Sequence, residues 1–542
     1  MNAIREVSEI RNIFKGALTY LETKKEEVNN LNVFPVPDGD TGTNMYLTMS
    51  SAIKAIESAE PGSFTEFADV LSKGALMGAR GNSGVILSQI FRGFAMSIHD
   101  KGAIDSKVLA DCFRLGSEVA YKAVKKPVKG TILTVMDGIW AGASESMKDK
   151  DEWLYTLEKG ILGGRKALEE TPELLPVLKE AGVVDAGGYG LLVILEGMYK
   201  TALGDQSFLT TMDMVLDAPI IDESYSSLED IRYGYCTEFI ILNPEKDNET
   251  IREALDKPEI GDSLVTIVAD GIAKVHIHTN NPGQVLEYAL SLGSVTNIKI
   301  DNMRQQFLEE QEKKGKKPKK QGKMKDHGFV MVVPGSGLGE IAQSMGVDAV
   351  LDGGQTMNPS THDIQEAIEA VHARTVYVFP NNKNIILSAE QTVNLNNDKR
   401  IIVVPSLNVQ QGFAAVLAFQ EDKDPLENLK RMKGAFSDVR TGAITYAVRD
   451  TKNKGMKIRK DQILVLGESE ILGAVDSIQD GISEFLRQAY DGQEIMTLYY
   501  GDQVKEQDAL AVKDQIEAQY PELEVMVFEG KQPVYFYFLS LE

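Results

Sequence analysis

Apolar residues at the start of the chain recur at three- and four-residue steps: Ile4, Val7, Ile10, Ile13, Phe14, Ala17, Leu18 and Leu21. That spacing places them on one face of a helix. Similar stretches run to about residue 200, interrupted by glycine-rich breaks at residues 39–42, 78–84 and 187–190. Short apolar runs of strand type are scarce in this part. The pattern predicts an all-α first domain over residues 1–205, with its chemistry on the loops between helices.

From residue 233 the period changes. Residues 235–242, 264–269 and 272–278 read as strands with helical segments between some of them, a small α+β domain within residues 206–305. Residues 309–326 hold eight lysines, four acidic residues and almost nothing to bury, so residues 306–327 are expected to be a solvated linker. Beyond it, residues 329–333, 375–379 and 401–404 are nearly continuous apolar strands separated by helical patterns such as 362–371. This predicts a buried parallel sheet with helical crossovers. Further strand-like runs at 443–448, 463–466, 496–500, 525–528 and 534–538 predict a second α/β lobe, completing a C-terminal domain over residues 328–542.

Length and composition agree with several domains. At roughly 100 to 200 residues per domain, 542 residues make three or four. No apolar run approaches the roughly 20 residues of a transmembrane helix. The first residues lack the basic start and apolar stretch of a signal peptide. Two cysteines, Cys112 and Cys236, are too few for a disulfide framework. A cytoplasmic protein is expected. The net charge of −23 argues against a nucleic-acid partner, because phosphate backbones attract basic surfaces. A strongly acidic protein that handles phosphate must neutralise it locally, with metal ions and backbone N–H groups.

The most specific segment is Asn32-Val33-Phe34-Pro35-Val36-Pro37-Asp38-Gly39-Asp40-Thr41-Gly42-Thr43-Asn44. Asp38 and Asp40 sit one glycine apart on a proline-fixed loop before a helix. Mg²⁺ is commonly held by one or two carboxylates plus phosphate oxygens. Thr43 and Asn44 fall where a helix start presents N–H groups to an anion. The plainer reading of an Asp-Gly-Asp turn is a helix cap. A second segment, Gly78-Ala79-Arg80-Gly81-Asn82-Ser83-Gly84, offers backbone N–H groups and the Ser83 hydroxyl for a phosphate. Taken alone it is equally a tight turn between helices, and Arg80 either binds phosphate or positions the loop. Gly130-Thr131-Ile132-Leu133-Thr134 and Asp185-Ala186-Gly187-Gly188 are two further helix-opening turns.

Cys236 and the pair His276-Ile277-His278 form a separate constellation. On a strand, residues two apart share a face. The two histidines can converge with Cys236 from a neighbouring strand as a three-ligand zinc site with one open position. The alternative is a buried thiol beside two hydrogen-bonded histidines, and spacing leaves both standing. Gly335-Ser336-Gly337-Leu338-Gly339 follows a strand and opens a helix. Its spacing does not match a dinucleotide fingerprint, and no acidic ribose partner follows about 20 residues on.

The four glycine-rich segments occur in the same order in the nucleotide-binding domain of the dihydroxyacetone kinase superfamily. The Pro-Val-Pro-Asp-Gly-Asp-Thr-Gly-Thr-Asn and Gly-Ala-Arg-Gly-Asn-Ser-Gly versions resemble the ATP-binding component of bacterial fatty acid kinases, and the resemblance covers the whole chain. It implies an α-helical barrel with ATP and Mg²⁺ at one end, a small middle domain and a C-terminal α/β domain. It implies Asp38 and Asp40 as metal ligands, and Asn32 as the candidate for a third, since related kinases carry an aspartate in that stretch. Thr43, Asn44, Gly81, Asn82, Ser83, Gly84, Thr131, Leu133, Asp185, Ala186 and Gly187 become nucleotide contacts, with Arg80 beside the γ-phosphate. Family members share a Cys and a His-x-His in the middle domain. Gly335–Gly339 and residues 353–360 resemble fatty-acid-binding DegV-like proteins. The implied activity is ATP-dependent phosphorylation of a fatty acid to an acyl phosphate for phospholipid synthesis, by a homodimer whose C-terminal domain docks a DegV-type fatty acid-binding protein. A small-ketone kinase of the dihydroxyacetone type, or a nucleotide-binding scaffold without turnover, are the alternatives.

Overall fold

The computed structural model describes residues 3–32, 39–205, 231–269, 272–305, 324–353, 358–395, 398–447, 450–453, 456–468 and 470–542. The chain divides into two compact units, Met1–Gly204 with Lys323–Glu542, and Asp205–Gly322.

The first part of the larger unit is helical: α1 (Val7–Leu31), α2 (Thr41–Ala59), α3 (Phe64–Met77), α4 (Gly81–Ile98), α5 (Ser106–Ala123), α6 (Ile132–Ser146), α7 (Trp153–Leu174), α8 (Pro176–Ala181) and α9 (Ala186–Ala202). A short pairing of β1 (Ala3–Ile4) with β2 (Ile104–Asp105) fixes the chain start beside α5. In α1 the periodic residues Ile10, Ile13, Phe14, Ala17 and Leu21 are the buried stripe. Phe14 meets Phe67 and Phe91 at 5.5 and 5.7 Å between ring centroids, which binds α1 to α3 and α4. Helices α6 and α7 approach backbone to backbone. A Cβ at Gly142 would lie 2.2 Å from the Lys159 carbonyl oxygen, and one at Gly163 would lie 2.3 Å from that of Gly138. Serine and aspartate set several helix starts: Ser63 accepts from the Glu66 amide, and Asp105 from that of Val108.

The smaller unit is a four-stranded antiparallel sheet of β3 (Tyr235–Leu242), β4 (Gly261–Ala269), β5 (Ile272–Thr279) and β6 (Ser294–Asn302), in the order β4-β5-β3-β6. Two helices, α10 (Asn248–Leu255) and α11 (Pro282–Leu290), supply Ile251, Leu255, Val285 and Ala289 to one core with Phe239, Ile241, Ala273, Val275 and Ile277. Alternation along the strands therefore sends Cys236, Glu238, His276 and His278 to the other face.

The second part of the larger unit opens with β7 (Lys325–Val333), α12 (Ser336–Ser344), β8 (Ala349–Asp352), α13 (Thr361–Ala370), β9 (Ala373–Phe379), α14 (Lys383–Val393), β10 (Arg400–Val403), α15 (Val409–Leu417) and α16 (Pro425–Gly434). Its four strands form an all-parallel sheet, β10-β9-β7-β8. The lobe that follows contains β11 (Arg440–Tyr446), β12 (Thr451–Asn453), β13 (Met456–Ile458), β14 (Ile463–Leu466), β15 (Ile471–Val475), α17 (Ile478–Ala489), β16 (Ile495–Tyr500), α18 (Glu506–Gln519), β17 (Glu524–Glu529) and β18 (Tyr537–Leu541). Six of these strands form a mixed sheet, β15-β14-β11-β18-β16-β17.

Two details differ from the sequence pattern. Residues 325–327, counted with the linker, belong to β7, where Lys325 pairs with Asp348 at 2.6 Å. Residues 306–323 of the lysine-rich stretch lie outside the described residues. The last strand begins at Tyr537 rather than 534, because Val534 takes φ +70° directly after Pro533 and interrupts the extended run. The Gly335-Ser336-Gly337 turn serves packing between the two lobes. The Leu338 amide donates to the Gly530 carbonyl at 3.0 Å, and a Cβ at Gly337 would stand 2.2 Å from the Glu529 carbonyl oxygen.

Candidate functional site

Each of the four glycine-rich segments opens a helix: α2 at Thr41, α4 at Gly81, α6 at Ile132 and α9 at Ala186. Contacts link these four starts to one another. Gly81 adopts φ +58°, and a Cβ there would lie 2.5 Å from Asn44 Nδ2, so the start of α4 presses on the first turn of α2. Thr48 Oγ1 donates to the Asn44 carbonyl at 2.7 Å and accepts from the Arg80 amide at 3.3 Å. A Cβ at Gly190 would meet Met45 Sδ at 2.6 Å, which joins α9 to α2. Asp185 caps α9 by accepting from the Gly188 amide at 2.7 Å, and its carboxylate also takes a hydrogen bond from the Ile132 backbone at the head of α6. Four positive helix ends thus gather in one region, an arrangement that favours bound anions.

Two carboxylates stand among them. Asp40 is buried, with 5% exposure, and its Oδ2 accepts from Asn358 Nδ2 at 2.6 Å. Desolvation pushes the Asp185 carboxyl up to about 6, against the pull of the Gly188 and Ile132 amides. Asp38 lies outside the described residues. Asn32 Nδ2 donates to Thr41 Oγ1 at 3.2 Å, so the side chain is at the mouth of α2. Asn29 joins it: its Oδ1 accepts from the Thr43 amide and its Nδ2 donates to Thr43 Oγ1, both at 3.2 Å. Sequence reasoning does not find Asn29, which reads as one more polar position on α1. Leu133 is buried in the helical core, so it brings only backbone groups to the start of α6. Thr131 Oγ1 donates to the Val128 carbonyl. Gly42, Gly84, Ala186 and Gly187 are buried in the first turns of their helices, and Ser83 is half-buried.

The C-terminal domain reaches the same place. Arg80 Nη1 donates to the Asn358 carbonyl at 2.7 Å, and its Nη2 lies 3.3 Å from Asp363 Oδ2. The Thr361 amide donates to the Ala79 carbonyl at 3.1 Å, and Asn82 Nδ2 donates to Asn384 Oδ1 at 3.2 Å. Arg80 therefore fastens the α3–α4 turn to the start of α13 in this conformation. The Oδ1 atoms of Asn82 and Asn358 are buried with no hydrogen-bond partner among the described residues. A separate cleft of about 760 Å³ lies between α4–α5 and α14–β10, lined by residues that include Arg92, Lys122, Glu390 and Leu429. None of the four motif segments lines it.

In the smaller unit the sheet brings Cys236, His276 and His278 together, with their ligand atoms all within 4.8 Å of one another. Burial, aided by the neighbouring Glu238 carboxylate, pushes the Cys236 thiol up to about 12.

The site defines a class: linked helix N-termini beside the buried carboxylate of Asp40, an arrangement with the chemistry to take a phosphate. Comparison with known proteins gives the family. A DAK2 domain model matches residues 35–200. The FakA-like models of fatty acid kinase, one for the middle domain and one for the C-terminal region, match residues 232–310 and 328–542. Uncharacterized proteins of Staphylococcus aureus strains MRSA252 and COL are each 40% identical over 539 residues, covering 98% of this chain and 98% of theirs. This chain belongs to the FakA-like family of fatty acid kinase proteins, which is kinase-related. Among solved structures, a DegV family protein from Corynebacterium glutamicum is similar over 40% of this chain and 98% of its own, at 11% identity and TM-score 0.32. A dihydroxyacetone kinase from C. freundii in complex with AMP-PNP and Mg²⁺ is similar over 37% of this chain and 35% of its own, at 14% identity and TM-score 0.29. Among the described residues no helix is long and apolar enough to cross a membrane.

Proposed function

We propose that this chain transfers the γ-phosphate of ATP to the carboxylate of a fatty acid, presented by a separate fatty acid-binding protein of the DegV type. The product is an acyl phosphate that feeds phospholipid synthesis, and the enzyme works in the cytoplasm as a homodimer. The observation that carries the reading is the meeting of the α2, α4, α6 and α9 N-termini around buried Asp40. The family models support the kinase and the fatty acid system together.

Asp38 and Asp40 are the groups that would hold Mg²⁺, with Asn32 as the third candidate. The metal, when bound, supplies neutralisation of phosphate charge. The chain's own groups do the rest. The amides opening α4, α6 and α9 hold phosphate oxygens in place and bear part of the charge on the γ-phosphoryl group. A fatty acid carboxylate is already ionised at neutral pH, as side-chain carboxylates with pKa values of about 4 are. No general base is needed. A carboxylate oxygen bonds to the γ-phosphorus, the bond from that phosphorus to the bridging oxygen breaks, and ADP leaves with the electron pair. The obstacle is the approach of one anion to another, and the partially positive helix ends address it. Arg80, in the α3–α4 turn, would face the γ-phosphate once released from Asn358 and Asp363.

The test is ADP formation by the purified chain with ATP and Mg²⁺, in three parallel mixtures containing a lipid-loaded DegV-type protein, dihydroxyacetone, or neither. ADP only with the lipid-loaded protein supports the proposal. ADP with dihydroxyacetone would make the chain a ketone kinase, and none in any mixture would make it a nucleotide-binding scaffold.

A further inference from the structure

The cleft of about 760 Å³ in the larger unit takes no part in the phosphate site. One wall is the face of α4 that carries Gln89, Arg92 and Met96 at helical spacing, beside Lys122 of α5. The facing wall is α14, with Glu390 and Val393, beside β10. In a chain of net charge −23 this lining is cationic. Glu390 pairs with Lys125 and is thereby neutralised. Arg92 and Lys122 stay uncompensated, since neither side chain forms an ion pair or hydrogen bond among the described residues. Gln89 is only 3% exposed, yet its side-chain amide makes a single contact there, from Nε2 to the neighbouring Ser88 Oγ at 3.5 Å. That is longer than an ordinary N–H···O bond. A buried amide so poorly partnered is costly unless a ligand completes it. The rest of the lining is aliphatic, and it is left wet: Met96 is 55% and Val393 41% exposed. Among the described residues no aromatic side chain lines the cleft.

These features select a ligand. The volume falls in the range of about 300–1,000 Å³ typical of small-molecule sites. A guanidinium and an ammonium suit a carboxylate or a phosphate, which arginine can grip with two parallel N–H bonds. Exposed aliphatic walls suit a hydrocarbon chain. A nucleotide fits less well, because bases commonly stack on aromatic rings. We infer that the cleft binds a single-chain anionic lipid. Its head group lies on Arg92 and Lys122, with the Gln89 amide as a further contact, and its alkyl chain runs along Met96, Val393 and β10. Fatty acids and phosphorylated alkyl chains share this chemistry. The inference does not rest on the kinase reading, because none of the four helix-opening segments lines the cleft.

The test uses the full-length chain without ATP or a partner protein. Calorimetric titrations are made with dodecanoate, dodecyl phosphate, dodecanol and inorganic phosphate, each kept below the concentration at which it aggregates. Saturable one-to-one binding is expected for dodecanoate, dodecyl phosphate or both, about 10-fold or more tighter than for dodecanol or inorganic phosphate. The tighter of the two amphiphiles identifies the head group. Arg92→Gln and Lys122→Gln should each weaken that binding by about 10- to 100-fold. Lys107→Gln, at an exposed lysine of α5 outside the cleft, should leave it unchanged. Thermal unfolding checks that the variants fold. A second readout needs no variant: in the wild type, bound ligand should slow peroxide oxidation of Met96, followed by peptide mass spectrometry. Met147, 41% exposed and outside the cleft, should oxidise at the same rate with and without ligand. The inference is overturned if neither amphiphile binds saturably, or if dodecanol binds as tightly. Binding that survives both Arg92→Gln and Lys122→Gln unchanged, or Met96 oxidation indifferent to ligand, overturns it as well.

Discussion

Asn358→Ala separates a competitor from a ligand. In the structure Asn358 Nδ2 donates to Asp40 Oδ2 at 2.6 Å, inside a buried site. A hydrogen bond to a charged group contributes about 1.5 to 3 kcal/mol. If Asp40 holds Mg²⁺, that bond must loosen whenever the metal takes Oδ2, so its energy counts against metal binding. Removing it should tighten binding of Mg²⁺ with a non-hydrolysable ATP analogue by up to about 10- to 150-fold, at about 1.4 kcal/mol per factor of ten. The same variant without metal should be less stable by up to about 3 kcal/mol, because a buried carboxylate loses one of its donors. The backbone carbonyl that receives Arg80 survives the substitution, so the α3–α4 turn keeps that anchor. Calorimetric titration gives the affinity, and thermal unfolding in chelator and in Mg²⁺–nucleotide gives the two stabilities. Equal or weaker nucleotide affinity in the variant would refute the competition and make Asn358 part of the binding site.

Asp185 gives a pH dependence. Its folded value is raised to about 6 from 3.8, so the folded state holds the proton more tightly. The stability from protonated Asp185 is complete below about pH 4 and is lost as pH rises through 6. Asp185→Asn keeps an acceptor for the Gly188 amide without the charge. It should therefore melt higher than wild type at pH 7.5, by about 1 to 2 kcal/mol after allowing for the residue's partial exposure, and match it near pH 4. A gain that grows towards acid pH would reverse the assignment. Gly142→Ala places a methyl group 2.2 Å from the Lys159 carbonyl oxygen. Urea unfolding should show a loss of about 1 to 3 kcal/mol from forced separation of α6 and α7, and an unchanged midpoint would show that the helices part freely.

Much of this architecture is written in local pattern. The three- and four-residue steps in α1 give its buried face, and the continuous apolar runs of β7, β9 and β10 give a parallel sheet. The starts of α2, α4, α6 and α9 are legible because glycine, threonine and aspartate mark helix entry by their own chemistry. What the pattern hides is contact at long range. Asn358, Asp363 and Asn384 reach the α2 and α4 starts from far along the chain, at separations of 278 to 318 residues for the hydrogen bonds, and nothing local in the Asn-Pro-Ser segment announces that. β6 gives little strand signal because its residues are largely exposed and lack clean alternation. β15 gives little because Gly473 interrupts its short apolar run. The pairing of Cys236 with His278 depends on strand register, which the sequence limits to a shared face without fixing the partner.

The central claim is transfer of phosphate to a fatty acid carboxylate at the Asp40 site. Its most direct measurement is capture of the product: the chain, ATP, Mg²⁺ and a lipid-loaded DegV-type protein are mixed, hydroxylamine is added, and the acyl hydroxamate is quantified by mass spectrometry. Hydroxamate is expected from the wild-type chain in proportion to ADP formed, and none above background from a folded Asp40→Ala variant. Hydroxamate at the wild-type rate from Asp40→Ala, or ADP from the wild type with no hydroxamate, would contradict it.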